Sequence, residues 1–287
     1  MIKFVFCLRY THLLKILNTM IYNKIYDFCK VRNNGNCFSN GTEPTPRVKF
    51  LMQLLESEGI EYELDTFESN SDRRRAFIDI PGIRMPENKY FNIIMRGTSN
   101  KMVVAHHDVN NAKTDNANDN SASVINVIAT KKLRPEINAV LLDGEELGGI
   151  GSNRLSTQIN AGDFGNIEWV LNYELTGKGG KYFFIGDYPG KLTDRIKSIF
   201  NCPVVRTPFN DSVIFRKNGI DSTVINPLPP LPQGKIPRHR EDEVIFPDGT
   251  SLDKSILYHC HSTEDTLKNI STSDMKEFIE EVVLKII

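Results

Sequence analysis

The sequence predicts a single α/β domain with three layers, in which helices cover both faces of a mixed, largely parallel central sheet. Two observations lead to this fold class. Short apolar runs alternate with helical patterns along most of the chain, an order typical of parallel strands joined by crossover helices. The chain also has 287 residues, 40% of them hydrophobic and 25% charged, which is enough apolar material for one substantial core.

The charge and hydropathy patterns disfavour two classes of function. Lys and Arg total 35 and Asp and Glu total 36, so the formal net charge is −1. A protein that binds nucleic acid non-specifically usually carries a clear positive excess, so we expect no nucleic-acid partner. The sequence contains no apolar run of 18 residues or more, so we expect no membrane span. The oligomeric state is left open.

Residues 1–44 are predicted to form an extension outside the domain, which we expect to cover residues 45–287. Residues 1–22 are apolar but interrupted by charges. A poor secretory signal, an amphipathic surface helix and sequence upstream of a start at Met20 all fit this pattern. The five cysteines form no paired short spacing, which favours reduced thiols in the cytoplasm, and secretion stays open if residues 1–22 act as a signal.

Two helices are predicted from their capping residues and periodicity. Thr45 and Pro46 are typical of a helix start, and Gly59 is well placed to end that helix. Near the C terminus, Ser271 and Asp274 have the spacing of a capping box. The helix that follows has one apolar stripe, formed by Met275, Phe278, Ile279, Val282, Val283 and Ile286.

The remaining elements are predicted from apolar runs and the turns between them. A further helix is expected over Ser121–Lys132. Residues 226–250 contain five prolines between Pro227 and Pro237 and are expected to form a long excursion, a feature that is often functional inside a compact domain. Strands are expected at Glu61–Phe67, Ala76–Ile80, Phe91–Arg96, Lys101–Ala105, Asn138–Leu142, Trp169–Tyr173, Tyr182–Ile185 and Ser222–Ile225.

Acidic residues and histidines gather directly after three of these strands. The clusters are His106-His107-Asp108, Asp143-Gly144-Glu145-Glu146 and Glu174. The carboxyl ends of strands in an open α/β sheet line the ligand crevice, so we expect the clusters to converge. Two loops add Asn118-Asp119-Asn120 and His259-Cys260-His261.

Convergence would place four carboxylates in one confined site, those of Asp119, Glu145, Glu146 and Glu174. Without counter-charge these groups would repel one another and take up protons. Two divalent metal ions would balance their charge, and two imidazoles would complete a nitrogen and oxygen donor set that suits zinc. Each cluster alone is a weak signal, since an adjacent Glu pair is usually a solvated helix start, and only the convergence makes it informative.

The order of these motifs resembles that of the co-catalytic zinc aminopeptidases of the bacterial leucyl aminopeptidase type. Glutaminyl cyclases and glutamate carboxypeptidases are cousins on the same phosphorylase-like fold. The resemblance covers residues 45–287 and consists of five motifs: His106 to Asp108, Asn118 to Ser123, Asp143 to Glu146, Asn172 to Glu174 and His261 to Thr266.

The resemblance implies two zinc ions per chain, with Asp119 bridging them. One ion would be held by His106, Asp119 and Glu174, and the other by Asp119, Glu146 and His261. Glu174 stands where the family most often has Asp, so its carboxylate is displaced by about 1.5 Å, and one metal could be more weakly held.

The resemblance also implies roles for residues around the metals. Asp108 and Asp265 would orient the two histidines, and Glu145 would be the general base. A cis peptide would follow the bridging residue, at Asp119-Asn120.

Several neighbouring residues have simpler interpretations. His107 is a rival of His106 as ligand, although the His-x-Asp spacing favours His106. His259 is expected to be structural, and Cys260 is expected to be a small packed side chain rather than a ligand. Asn210-Asp211-Ser212 resembles a family segment near the substrate pocket.

The function implied is that of a zinc-dependent exopeptidase, an aminopeptidase that hydrolyses N-terminal residues from peptides through a metal-bridged water. The substrate would be a peptide with a free N terminus, whose amine would sit near the second metal. Two alternatives stay open: a glutaminyl-cyclase-like zinc acyltransferase and a non-catalytic binding module on the same fold.

Overall fold

The computed structural model of the chain describes residues 20–31, 43–69, 89–110, 114–207, 209–228 and 260–287. The strand predicted at residues 76–80, His259 and residues 229–250 of the proline-rich excursion lie outside the described residues. Within these ranges, no helix combines the length and apolar character that a membrane crossing needs.

The described ranges contain one mixed sheet with the strand order β1-β2-β4-β3-β5-β8-β6-β7. The central strands β4, β3, β5 and β8 run parallel to one another, whereas β1, β2 and β6 are joined antiparallel. The mixed, largely parallel sheet is therefore confirmed. The strands are β1 Glu63–Glu68, β2 Lys89–Met95, β3 Lys101–His106, β4 Asn138–Leu142, β5 Trp169–Tyr173, β6 Phe183–Gly186, β7 Val204–Val205 and β8 Ser222–Pro227.

Helices cover both faces of this sheet. Along β3, Val103 and Ala105 join one apolar cluster and Met102 and Val104 join another, because successive side chains of a strand point to opposite faces. The helices are α1 at residues 20–28, α2 Pro46–Ser57, α3 Ala122–Leu133, α4 Ile150–Ala161, α5 Lys191–Ile199, α6 Asp211–Lys217, α7 Thr272–Glu277 and α8 Leu284–Ile286. Shorter turns are the π-helical segments Ala117–Ser121 and Phe278–Val283 and the 3-10 helix Leu267–Asn269.

The predicted helix caps are present. The Thr45 hydroxyl accepts a hydrogen bond from Val48 N at 3.3 Å, and Gly59 follows the C-terminal end of α2 with a φ of +67°, a conformation that favours glycine. The Ser271 hydroxyl likewise accepts a hydrogen bond from Asp274 N at 3.2 Å. These caps fix the ends of α2 and α7 as the sequence predicts.

Helix α1 belongs to the main core. Ile21 and Phe28 are at most 1% exposed within this core. The Phe28 ring stacks on that of Phe50 in α2 with 5.5 Å between centroids, and the Arg47 guanidinium lies 3.9 Å from the Phe28 centroid. The predicted domain boundary at residue 45 excludes helix α1 and these core contacts. The boundary was placed there because charged residues interrupt the apolar pattern of the N-terminal segment. We propose a domain that includes residues 20–31.

Replacing Phe28 by Ala should lower the free energy of unfolding by about 3–5 kcal/mol, since it removes a ring packed between Phe50 and Arg47. Tyr26→Ala on the same helix is the matched control, because Tyr26 is 43% exposed, and its effect should stay within about 0.5 kcal/mol. Denaturant unfolding curves measure both. If Phe28→Ala were as stable as the wild type, helix α1 would not be part of the cooperative core.

Candidate metal centre

Three parallel strands bring the predicted site residues to one edge of the sheet. His106 is the last residue of β3, Glu174 follows β5, and the turn with Glu145 and Glu146 follows β4. Strand β3 lies between the other two, and its last residue pairs with Leu142 at the end of β4. The side chains therefore meet at the carboxyl ends of the strands, where open α/β sheets bind their ligands.

His106 is surrounded by carboxylates. Its Nε2 lies 3.4 Å from Asp119 Oδ1 and 3.6 Å from Glu174 Oε2, and its Nδ1 lies 3.3 Å from Asp108 Oδ1. Burial alone would lower the pKa of His106, but the negative charge of Glu174, together with Asp108 and Asp119, raises it well above its usual value. The imidazole thus lies in an excess of negative charge, which a bound cation would reduce.

Asp119 joins this group to a second one. Its Oδ2 lies 3.3 Å from His261 Nε2, and the same ring nitrogen lies 3.1 Å from Glu146 Oε2. Burial would raise the pKa of Asp119, but hydrogen bonds from His106 and His261 outweigh burial and lower it. Asp119 therefore presents one carboxylate oxygen to each imidazole, the arrangement required of a ligand that bridges two metals.

The donor atoms fit zinc. One ligand atom each from His106, Asp119 and Glu174 lie within 4.8 Å of one another, and nitrogen and oxygen donors of this kind suit that metal. Oε1 of Glu146 is buried without a hydrogen-bond partner in the described part of the chain. An unpaired buried carboxylate oxygen is costly, so this atom is consistent with a bound cation.

Asp108 supports both His106 and the turn that follows β4. Besides its contact with the imidazole, its carboxylate accepts backbone hydrogen bonds from Glu145 at 3.2 Å and from Glu146 at 3.1 Å. One carboxylate thus ties a candidate ligand on β3 to two acids after β4. The predicted contact between Asp108 and His106 is present.

Asp265 binds the backbone of the loop that carries Asp119. Its carboxylate accepts backbone hydrogen bonds from Asn118 at 2.7 Å and from Asp119 at 3.1 Å. These bonds hold the loop in place, and the orientation of His261 by Asp265 that the resemblance implies stays a prediction. Burial raises the pKa of Asp265 to about 7, although its backbone hydrogen bonds act in the opposite direction.

The structure distinguishes the two adjacent histidines. His107 Nε2 lies 2.8 Å from the carbonyl oxygen of Phe91 on β2, so this ring binds the neighbouring strand. His106 instead reaches Asp119 and Glu174, as the His-x-Asp spacing favours. The peptide bond between Asp119 and Asn120 is cis, as the resemblance implies.

Two asparagines that were not among the predicted site residues hold the carboxylate of Glu174. Asn120 Nδ2 donates to Glu174 Oε2 at 2.9 Å, and Asn172 Nδ2 donates to Oε1 at 3.2 Å. These amides fix the longer Glu side chain at the position where Asp was expected. Each asparagine lies within one of the five motifs, so the sequence already marked both positions. A motif does not show, however, where the side-chain amide of an asparagine points.

Asp211 and Glu145 are two further acids whose ionisation is strongly altered. Asp211 is fully buried at the first residue of α6, and burial raises its pKa to about 7. Burial also raises the pKa of Glu145 well above its usual value, and the negative charges of Asp211, Glu174 and Glu146 add to this rise. Asp211 therefore belongs electrostatically to the site.

The profile of peptidase family M28 matches residues 92–286, which is more than half of the chain. No curated protein matches the sequence. Several solved structures share the fold at low identity. A zinc aminopeptidase from Bacillus subtilis has 15% identity and a TM-score of 0.52, over 71% of this chain and 50% of that chain.

Other similar structures align over most of both chains. An aminopeptidase from Aneurinibacillus sp. strain AM-1 has 12% identity and a TM-score of 0.61, over 93% of this chain and 92% of that one. A glutaminyl cyclase from Porphyromonas gingivalis has 17% identity and a TM-score of 0.62, over 94% and 96%. This chain spans half the length of the Bacillus enzyme, and identities this low establish the shared fold alone.

Zinc should stabilise the folded protein, because a dication relieves the repulsion among the buried acids. Free zinc at 100 times its dissociation constant adds about 2.7 kcal/mol to the free energy of unfolding. Asp119→Asn should lose most of this gain, since it removes the charge shared by both imidazoles. Thermal unfolding with zinc and with a chelator measures the difference.

The matched control for this prediction is Asp163→Asn, which changes an exposed acid outside the site. This variant should keep the full zinc-dependent stabilisation. A stabilisation that survives in Asp119→Asn would contradict the assignment of Asp119 as the shared ligand.

Proposed function

The chain belongs to peptidase family M28, and on that premise we propose that it is a zinc-dependent exopeptidase, an aminopeptidase that removes N-terminal residues from peptides. The main support is a single site in which the buried carboxylate of Asp119 presents one oxygen to His106 and the other to His261. The zinc aminopeptidase of similar fold is consistent with this activity.

The proposed site holds two zinc ions per chain. His106, Asp119 and Glu174 would bind one, and Asp119, Glu146 and His261 would bind the other. Bound zinc would polarise the substrate carbonyl and lower the pKa of a water molecule. Asp108 contacts both His106 and the backbone of Glu145 and Glu146. These contacts would hold the two groups of ligands in fixed positions relative to each other.

Glu145 is the proposed general base. Its backbone is fixed by Asp108, which also contacts a candidate ligand, His106. Because its pKa is raised by burial first and by neighbouring acids second, its carboxylate is a stronger base than an ordinary Glu and can take a proton from the attacking water. The same carboxyl group would then give that proton to the leaving amine as the C–N bond breaks.

The surplus of acid in the site supports selection of a free amine. Two dications would balance the four carboxylates of Asp119, Glu145, Glu146 and Glu174. Asp211 lies close enough to Glu145 to raise its pKa, so it adds negative charge beyond that balance once the pH exceeds its own pKa of about 7. A site of this kind attracts the α-ammonium group of a peptide.

Glu145→Gln should lower kcat on chromogenic amino-acid amides by about 10²–10⁴-fold, the usual contribution of a positioned general base. Its zinc content should equal that of the wild type, because Glu145 is not a proposed ligand. Steady-state kinetics and elemental analysis measure the two quantities.

Glu168→Gln, at an exposed position, is the control and should keep full activity. The wild type should leave N-acetylated amides uncut if it needs a free amine. Near-wild-type turnover by Glu145→Gln would refute the general-base role, and cleavage of the acetylated amides would refute the aminopeptidase assignment.

Activity should be lost on acidification at a higher pH than an ordinary Glu would require. In the metal-free chain burial, and then the charges of Asp211, Glu174 and Glu146, raise the pKa of Glu145. Bound zinc would offset the charge of the ligand acids but not the burial, and a general base works only when ionised. kcat/KM should therefore fall as pH falls through this raised pKa. Asp211→Asn removes one of the negative charges, so it should move the acid limb to lower pH.

Profiles of kcat/KM against pH for wild type and Asp211→Asn test this direction. Asp163→Asn, an exposed acid outside the site, should leave the profile in place. An acid limb that stays in place or moves to higher pH in Asp211→Asn would contradict the proposed electrostatic coupling.

A second candidate function is glutaminyl-cyclase-like acyl transfer with one zinc. It is favoured by one observation, the alignment of a glutaminyl cyclase with 94% of this chain and 96% of that one. The complete donor groups around both His106 and His261 favour hydrolysis instead. Zinc content of the fully loaded protein separates the two, because about two ions per chain fit hydrolysis and one fits cyclisation.

A further inference from the structure

We propose that Cys260 is a direct ligand of the metal held by His261, so that this ion is bound by a thiolate as well as by imidazole and carboxylates. This assignment rests on the proposed function and adds to it a donor that the family resemblance does not supply. The sequence predicts a small packed side chain at Cys260, and in the structure its sulfur contacts Asp119.

The Cys260 sulfur contacts the bridging carboxylate. Its Sγ lies 2.8 Å from Asp119 Oδ2, the oxygen that also lies 3.3 Å from His261 Nε2. One ligand atom each from Asp119, Cys260 and His261 lie within 4.8 Å of one another. Donors spaced in this way are close enough to share one ion, whose bonds to N, O and S are about 2.0–2.3 Å long.

Glu146 provides an independent sign that a cation belongs at this position. Its side chain is 4% exposed, and its Oε2 lies 3.1 Å from His261 Nε2. Its other oxygen is buried without a hydrogen-bond partner among the residues described. Together with Asp119, Cys260 and His261, this carboxylate makes four donors, the number that zinc takes in sites closed by protein ligands.

The backbone explains how two adjacent residues reach the same carboxylate. In an extended strand, successive side chains point to opposite sides. His261 instead has a φ of +59°, in the left-handed region. This conformation breaks the alternation, and both Cys260 and His261 contact Asp119.

A thiolate ligand would make the two metal sites differ in ligand number and in metal preference. The ion held by Asp119, Glu146, Cys260 and His261 would have four protein ligands and a preference for soft ions such as zinc over magnesium or manganese. The ion held by His106, Asp119 and Glu174 would have three protein ligands. It would therefore keep the open position that a substrate or water needs.

X-ray absorption of the zinc-loaded full chain tests the assignment. The wild-type spectrum should contain a sulfur shell at about 2.3 Å from zinc, and Cys260→Ser should lack it. Competition with a chelator should show zinc bound at least about tenfold more weakly by Cys260→Ser. Cys202→Ser is the matched control, because Cys202 is also a partly buried free thiol, and it should keep both the shell and the affinity.

The outcomes separate this assignment from the proposed function. Bound zinc without a sulfur shell in the wild type, or a shell that persists in Cys260→Ser, overturns the thiolate ligand and leaves the peptidase proposal standing. Absence of bound zinc overturns both. Should Cys260→Ser fail to fold, the wild-type spectrum still decides, as does the presence or absence of a sulfur-to-metal charge-transfer band in the cobalt-loaded wild type.

Discussion

The shared carboxylate of Asp119 is the interaction on which the site depends. It is 5% exposed and lies between an imidazole from the end of β3 and an imidazole from the loop before α7. Its backbone is held in turn by Asp265. Because one residue links both groups of donors, its position decides whether the acids of the site form one metal centre or remain a set of repelling charges.

The sheet gives this carboxylate its rigid surroundings. Strand β3 is buried on both faces, so the position of His106 at its end is fixed by packing on two sides. After β4, the side chain of Asp143 accepts a hydrogen bond from Phe91 N, and Asn92 Oδ1 accepts one from Asp143 N. These bonds anchor the first residue of the turn that carries Glu145, the proposed general base. The positions of the site residues are therefore well fixed at the ends of the strands, where the chain leaves the core.

Secondary-structure elements that depend on local sequence pattern are predicted correctly, whereas several individual contacts between residues far apart in the sequence are not. Apolar runs placed β4 at Asn138–Leu142 and β5 at Trp169–Tyr173, both in agreement with the structure, and the five motifs indicated which residues converge. The contact of Asp265 with the Asp119 backbone was not anticipated, because spacing within a motif does not fix contacts with residues nearly 150 positions away. The contact of Cys260 with Asp119 was missed for the same reason, and the buried face of helix α1 was missed because charged residues interrupt its apolar pattern.

The two groups of donors differ in their exposure to water. The His106 side chain is 2% exposed and stands on a strand, whereas the His261 side chain is 52% exposed and stands on a loop. A ligand that is open to water is held less firmly by packing, so an ion at His261 would need additional donors to bind as tightly as one at His106. A thiolate from the residue next to His261 would supply one within the same loop. The asymmetry of burial thus gives a physical reason for a cysteine at position 260.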